Sequence, residues 1–318
     1  MTRLAHVGVT ISTLDRPEGL ARCLDALLSG TVLPAEIIVV DQSTNDAPKA
    51  VIEERQAGAV PIIHVCQQRR GLSASRNAAQ AQASSPVVAV TDDDCVPAAG
   101  WIAAIERGFA SPDAPHALTG RILPLGPDVP GTYVIAARVS PLRADFRGKA
   151  LPWLVGSGGN LAVKRDCFAR SGGFDERLGA GSPGKAAEDM DFFYRLLRAG
   201  ARIRYEPDSL VYHQRHSKAK RMRTRYSYGY GMGAFCALWL RRGDLYAMRI
   251  FGHWLSGQSW ALAVATGRGR WPEAYQRSLS LRGTLSGLIY GLRVPAASQP
   301  KVLTKPKMNT DEHRSVLS

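Results

Sequence analysis

Val87-Val88-Ala89-Val90-Thr91-Asp92-Asp93-Asp94 is the stretch on which the fold turns. Four apolar residues, three of them β-branched, suit a strand buried on both faces, as in a parallel sheet. Three carboxylates follow at once, and side by side they repel one another unless a cation sits among them. Oxygen ligands of this kind suit Mg2+ or Mn2+, ions that can also bridge phosphate oxygens. The carboxyl edge of a parallel sheet is where open α/β folds take their ligands. A solvated acidic turn would carry the same three letters, so the flanking sequence has to decide.

Upstream, Val7 to Ile11, Ile37 to Val40 and Val60 to Val65 are further strand-like runs. Pro17 opens a helix with Leu20, Leu24, Leu27 and Leu28 on one face, and Leu72 to Ala83 predicts an Ala-rich helix. This alternation predicts an α/β fold with a twisted, mainly parallel sheet flanked by helices on both faces. From Ser111 to Gly158 Pro and Gly are frequent and no period is clear, which predicts irregular chain lying over a site. Asn160 to Val163 and Arg202 to Tyr205 read as strands, and Arg165 to Arg170 and Ala187 to Ala199 as helices.

The bulk properties narrow the class. A chain of 318 residues, 45% of them hydrophobic, can bury one substantial core and a smaller appended unit. The five cysteines are scattered with no Cys-x-x-Cys, so neither a disulfide framework nor a zinc knuckle is expected, and a reducing cytoplasm fits. The opening residues predict no secretory leader. No run reaches the roughly 18 uninterrupted apolar residues of a spanning helix.

Charge is uneven. Up to Leu210, 23 basic residues balance 23 acidic ones; from Val211 onward there are 18 against 4, the whole excess of +14. Arg215, Lys218, Lys220, Arg221, Arg223 and Arg225 crowd together, and Tyr226 to Leu240 and Leu245 to Trp254 read as amphipathic helices. The expected organisation is a catalytic unit over 1–212, a basic helical extension over 213–293 and a disordered polar tail over 294–318. A basic module on a neutral domain points to a polyanionic partner such as an anionic membrane surface, unless it is simply a solvated face.

Individual residues admit two readings each. Asp41 ends a strand, where it can accept a hydrogen bond from a base or ribose, or cap the next helix. Gly71-Leu-Ser-Ala-Ser-Arg-Asn77 sets Arg76 near a helix start, where it can favour phosphate or be an ordinary helix-surface arginine. Glu188-Asp189-Met190-Asp191 opens a helix, where acidic side chains favour the dipole; one of them could equally serve as a general base.

Taken in order, Ile37-Ile-Val-Val-Asp-Gln-Ser43, Gly71 to Asn77, Thr91-Asp-Asp-Asp94, Gly158-Gly-Asn-Leu-Ala162, Gly172-Gly-Phe-Asp-Glu176, Glu188-Asp-Met-Asp191 and His213 form a set. That set resembles the family 2 glycosyltransferases with the GT-A fold, over roughly residues 5 to 215. The resemblance implies a single nucleotide-binding α/β unit that transfers a sugar from a nucleotide-diphosphate sugar to an acceptor hydroxyl with inversion. It implies that Ser12, Thr13, Asp15 and Asp41 line the nucleotide pocket, with Arg76, Asp92, Asp93, Gly158 and Gly159 also on the donor. Asp94 and Asp92 fall on the metal-binding Asp-x-Asp positions, for Mg2+ or Mn2+, and His213 on a further ligand position. Asp189 falls on the catalytic base, with Glu188 beside it.

Two departures stand out. Leu14 takes the place where the family often stacks an aromatic residue on the base, and no Gln-x-x-Arg-Trp follows Glu188-Asp189, so the resemblance implies one sugar per encounter. The implied setting is cell-envelope or exopolysaccharide glycan assembly, with a glycan or lipid-linked acceptor, in the cytoplasm or peripherally on the inner face of the membrane. Nucleic acid is not an expected partner: a basic nucleic-acid-binding protein would account for the charge but not for three consecutive carboxylates, and no nucleic-acid motif is present. A nicotinamide-dependent oxidoreductase needs Gly-x-Gly-x-x-Gly after the first strand, and Ser12-Thr-Leu-Asp-Arg-Pro17 has none. A catalytically inactive nucleotide-sugar-binding relative stays open, although both acidic motifs are intact.

Overall fold

The computed structural model describes residues 4–295. From residue 296 onward the expected tail lies outside the described residues. The first part of the chain follows the alternation expected of it: β1 (Val7–Thr13), α1 (Pro17–Leu28), β2 (Glu36–Asp41), α2 (Ala47–Glu53), β3 (Ile62–Cys66), α3 (Leu72–Gln82) and β4 (Val87–Asp92). β1 pairs in parallel with both β2 and β4, and β2 with β3. Successive side chains of a strand point to opposite faces. Ile37 and Val39 therefore join a core with Leu20, Leu24 and Leu27 of α1, while Ile38 and Val40 pack with Ala79 of α3.

Next come β5 (Cys95–Pro97), α4 (Trp101–Ala110), β6 (Ala117–Pro124), β7 (Thr132–Tyr133), β8 (Ala144–Phe146), α5 (Pro152–Val155), β9 (Asn160–Lys164), α6 (Arg165–Ser171), α7 (Glu188–Arg198), β10 (Ile203–His213) and β11 (His216–Ser217). The main sheet runs β3-β2-β1-β4-β9-β6-β10-β5, with β8 beside β10. Six strands point one way; β9, β5 and β8 oppose them. The sheet is mainly parallel, as expected.

β6 corrects the reading of 111–158 as irregular throughout. It is an internal strand between β9 and β10, and its pattern is hidden by Gly120 and Arg121. Glycine is needed there because any Cβ at 120 would strike the Ser209 carbonyl, inside a bulge of β10 between Glu206 and Leu210. β10 is also longer than the four residues expected, since the bulge lets the strand resume after Pro207. The buried Asn160 amide ties these strands together. It donates to Arg121 O at 2.9 Å and Ser209 O at 2.8 Å and accepts from Trp101 Nε1 at 2.9 Å and Ser209 Oγ at 3.1 Å.

Three long helices complete the described chain: α8 (Lys218–Leu240), α9 (Tyr246–Gly267) and α10 (Trp271–Arg293). α8 and α9 extend beyond the two amphipathic stretches expected, and α10 was not expected; where α8 and α10 meet, glycine rather than leucine makes the contact. A Cβ on Gly229 or Gly233 of α8, or on Gly283 or Gly287 of α10, would fall far inside contact distance of the facing helix backbone. The two helices therefore cross at backbone contact. Trp239 Nε1 donates to Asp191 Oδ1 at 2.9 Å and Tyr194 Oη to Asp244 Oδ2 at 2.8 Å, fastening this bundle to α7. Among the described residues, no helix is long and apolar enough to cross a membrane.

Candidate functional site

The carboxyl ends of β1 and β4 face the amino-terminal half of α8 across a cleft of about 810 Å3. Ser12 and Thr13 come from the end of β1 and Leu14 from the loop after it, and Asp92, Asp93 and Asp94 from the end of β4 and the turn that follows. α8 contributes Lys220, Arg223, Thr224, Ser227 and Tyr228. Those five positions step by three, one, three and one, which is a single face of a helix. The crowd of basic residues after His213 is thus partly turned inward.

The three consecutive carboxylates have three environments. Asp92 Oδ1 accepts from Arg76 Nη2 at 2.8 Å. Asp93 is buried, accepts from Thr13 Oγ1 at 3.0 Å and Arg16 Nη1 at 2.8 Å, and is pushed up to about 6 by desolvation, with Asp94 and Asp92 adding to the rise and Arg16 opposing it. Asp94 is also buried, and desolvation alone would raise it. It is nevertheless held below the usual carboxylate range by His213, Arg16, Lys220 and His216. Its Oδ1 lies 3.5 Å from His213 Nε2, and its Oδ2 lies 2.8 Å from Arg16 Nη1, 3.7 Å from His216 Nε2 and 3.8 Å from Lys220 Nζ. Burial, then Lys220, lowers His216 to about 4, so its imidazole is neutral at pH 7.

Arg76 links the end of β4 to α7. Only 2% exposed, it donates from Nη1 to Glu188 Oε1 at 3.0 Å as well as to Asp92. Both terminal nitrogens are thereby engaged with carboxylates. Burial pushes Glu188 up to about 7, with Asp189 adding to the rise and Arg76 opposing it. Asp189, half-buried, accepts from Gly158 N at 2.9 Å and from Met190 N at 2.8 Å. A carboxylate has about four lone-pair sites, so these two bonds orient it and leave acceptor capacity. Gly158 and Gly159 let the chain pass close by: a Cβ at 158 would lie 2.6 Å from Arg76 Nη1, and one at 159 would lie 2.8 Å from Asp92 Oδ2. Ala187, immediately before α7, holds φ at +71°, a left-handed conformation that costs a non-glycine residue about 1 kcal/mol.

Asp189 itself does not line the main cleft. Tyr228 lines the cleft with 37% of its surface exposed, and its phenol is pushed upward by desolvation and by the charges of Asp189, Glu188, Asp92 and Asp94.

Two other expected positions lie to the side. Asp41 accepts from Ser43 N at 2.8 Å, lies 3.2 Å from His64 Nε2, and opens on a separate depression of about 370 Å3. In the main cleft its neighbour Gln42 stands in its place, accepting from Gly71 N at 3.2 Å. Asp15, at φ +53°, accepts from Thr44 N at 2.9 Å and so ties the loop after β1 to the loop after β2.

A divalent cation can be tested against this donor set. One ligand atom each from Asp94, Cys95 and His213 falls within 4.8 Å of the others. Burial, then Asp92 and Asp94, pushes the Cys95 thiol far above its ordinary value, so it remains protonated and is a poor ligand. Asp94 and His213 remain, with His216 adjacent. A carboxylate with imidazole fits Mn2+ better than Mg2+, which prefers oxygen. Arg16, whose side chain is 44% exposed, occupies Asp94 Oδ2 and Asp93 Oδ1 through the same nitrogen.

Sequence reading named Lys220 and Arg223 only as members of the basic cluster, and it missed Arg16, His216 and Tyr228. Arg16 follows Asp15 in a loop and carries no pattern. The α8 residues did carry one, a polar stripe at helical spacing through the basic cluster.

Comparison with known proteins identifies the family and the fold. Residues 9–169 match the family described as Glycosyl transferase family 2, and residues 140–252 match Glycosyltransferase like family 2. A pre-mycofactocin glycosyltransferase of Mycobacterium tuberculosis is 30% identical over 225 residues, which are 67% of this chain and 44% of that protein. The chain thus spans less than half the length of that relative. A glucosyl-dolichyl phosphate glucuronosyltransferase of Haloferax volcanii is 25% identical over 65% of this chain and 69% of its own length. The fold is similar to that of a mannosyltransferase from Pyrobaculum calidifontis solved with GDP-Man and Mn2+, with TM-score 0.60, 17% identity, and coverage of 92% of this chain and 88% of that one.

Proposed function

From the premise that this chain belongs to glycosyl transferase family 2, we propose that it moves one sugar per encounter from a nucleotide-diphosphate sugar to an acceptor hydroxyl, with inversion. The observation that carries this reading is the tie through Arg76, which brings Asp92 and Glu188 onto one guanidinium with Asp189 alongside.

In this reading Ser12, Thr13 and Gln42 border the nucleotide, Asp41 and Asp15 shape the loops around it, and Gly158 and Gly159 flank the sugar. Arg76 orients Asp92 and Glu188 instead of touching phosphate. Asp94 and His213 would hold a divalent ion, with Asp92 close by, and the ion would supply positive charge against the diphosphate. Lys220 and Arg223 add cationic donors from α8 to the diphosphate oxygens. The acceptor oxygen attacks the anomeric carbon from the side opposite the diphosphate. Its proton passes to Asp189, and the bond to the diphosphate oxygen breaks with its electron pair leaving on that oxygen.

The 1–212 unit would carry the donor chemistry. Part of the 213–293 extension, α8, closes over the donor. The acceptor is a glycan or a lipid-linked saccharide in cell-envelope or exopolysaccharide assembly, met on the cytoplasmic side of a membrane. The GDP-Man and Mn2+ of the Pyrobaculum calidifontis protein and the dolichyl phosphate named for the Haloferax volcanii relative support these classes without choosing a sugar.

The test is a panel of nucleotide sugars assayed for turnover and for thermal stabilisation, with Mn2+, with Mg2+ and with chelator. Metal-dependent release of nucleoside diphosphate is the expected result. Stabilisation without any turnover across donors and acceptors would mark a binding protein instead, and neither effect would sink the reading.

A further inference from the structure

The C-terminal helices present two different surfaces. α8 turns Lys220 and Arg223 into the cleft, so those charges serve the interior. α10 does the opposite. Its glycine face packs on α8, and on the other side Trp271, Tyr275, Ser278, Arg282, Leu285, Ile289 and Leu292 recur at alternating steps of four and three. That spacing is one continuous stripe along a helix. Trp271 is 66% exposed, Leu285 56% and Leu292 51%, and Trp260, near the end of α9 in the same hairpin, is 73% exposed. Five of the seven are apolar or aromatic, and soluble monomers seldom leave so many of them aligned in water.

Charge identifies what covers it. Between Leu245 and Arg293 there are six arginines and a single acidic residue, Glu273. A second copy of the chain fits poorly. Arg282 stands near the midpoint of the stripe, so two-fold pairing along it sets Arg282 against Arg282, with no carboxylate in the stripe to compensate. An anionic lipid surface suits every member. Arginines extend to phosphates, Trp and Tyr rest at headgroup depth, and Leu and Ile enter the acyl boundary. Since no described helix can cross a bilayer, the contact is lateral.

We propose that the outer face of α10, with the Trp260 end of α9, lies flat on an anionic lipid bilayer and holds the enzyme at the surface where a lipid-linked acceptor is presented. The purpose rests on the glycosyltransferase reading; the binding itself does not.

The experiment is co-sedimentation of the full chain, without donor, with vesicles of phosphatidylglycerol mixed into phosphatidylcholine and with phosphatidylcholine alone. Partition onto the anionic vesicles is expected to be at least about ten-fold stronger, since each arginine near the surface contributes about five-fold. Leu285→Glu with Ile289→Glu should weaken it by about ten-fold or more, from lost apolar burial. Arg282→Glu, a single exposed change that tests the same face without touching packing, should weaken it by roughly five- to twenty-five-fold. Nucleotide-induced thermal stabilisation should be unaffected in both variants.

Equal partition onto both vesicle types, no partition, or full partition by the variants would overturn the proposal. So would a dimer in sedimentation velocity that the Leu285 and Ile289 substitutions convert to monomer. A chain that binds anionic vesicles but transfers no sugar would uphold this surface and remove the catalytic reading instead.

Discussion

Replacing Arg76 with Met tests the centre of the site. The guanidinium is buried and serves Asp92 and Glu188, with Asp189 nearby. Removing one partner of a buried ion pair costs about 3–5 kcal/mol, because the other charge is stranded. Two features keep the loss at the low end: the Asp92 side chain is 26% exposed and can be hydrated, and Glu188 can take up a proton. A loss of about 3 kcal/mol at pH 8 follows. In a protein of 318 residues that lowers the melting temperature by about 4–5 °C.

The pH dependence is the sharper signature. Glu188 is raised in the folded state from 4.5 to about 7, so the folded protein keeps a proton that the unfolded chain has released. Stability from this group therefore falls as pH climbs from 4.5 to about 7 and levels off above. Without Arg76 the folded value moves higher still, and the fall continues past pH 7 by about 1.4 kcal/mol per pH unit. The gap between variant and parent should therefore widen from pH 5 to pH 8 by about 1 kcal/mol. Arg76→Met combined with Glu188→Gln should recover part of the loss in a double-mutant cycle. Thermal unfolding of the four proteins at both pH values is the assay. A gap that is constant or narrows with pH, or a loss under about 1 kcal/mol, would refute Arg76 as the tie between the end of β4 and α7.

Other outcomes follow from the same geometry. Asp189→Asn should lower turnover about 10²- to 10⁴-fold while nucleotide-induced stabilisation persists; unchanged turnover would remove it as the base. His213→Ala should weaken Mn2+ more than Mg2+ in activation curves, because the imidazole is the ligand that favours Mn2+; equal effects would take His213 off the metal. Gly287→Ala should cost more than about 2 kcal/mol in denaturant unfolding, since its Cβ meets the Tyr230 carbonyl. Gly252→Ala, on α9 with nothing within 4 Å, should instead stabilise by about 0.5–1 kcal/mol.

The parallel half of the sheet was legible in sequence because β1, β2 and β4 are buried on both faces and rich in β-branched residues. The carboxylates after Val90 were likewise legible, since adjacent like charges at a strand end attract notice, whereas those opening α7 also suit a helix start and gained meaning only from their order with the other motifs. β6 was not, because Gly120 and Arg121 answer to a bulge in a strand some ninety residues later, which local sequence does not encode.

The roles of the basic residues were decided by tertiary structure alone. Arg76 reads as a phosphate ligand at a helix start, yet folding buries it between two carboxylates. Composition establishes that the C-terminal region is basic and amphipathic. Only the glycine contacts between α8 and α10 determine which face of each helix remains free, because they fix the rotation of one helix against the other. That rotation sends Lys220 into the cleft and leaves Arg282 in solvent.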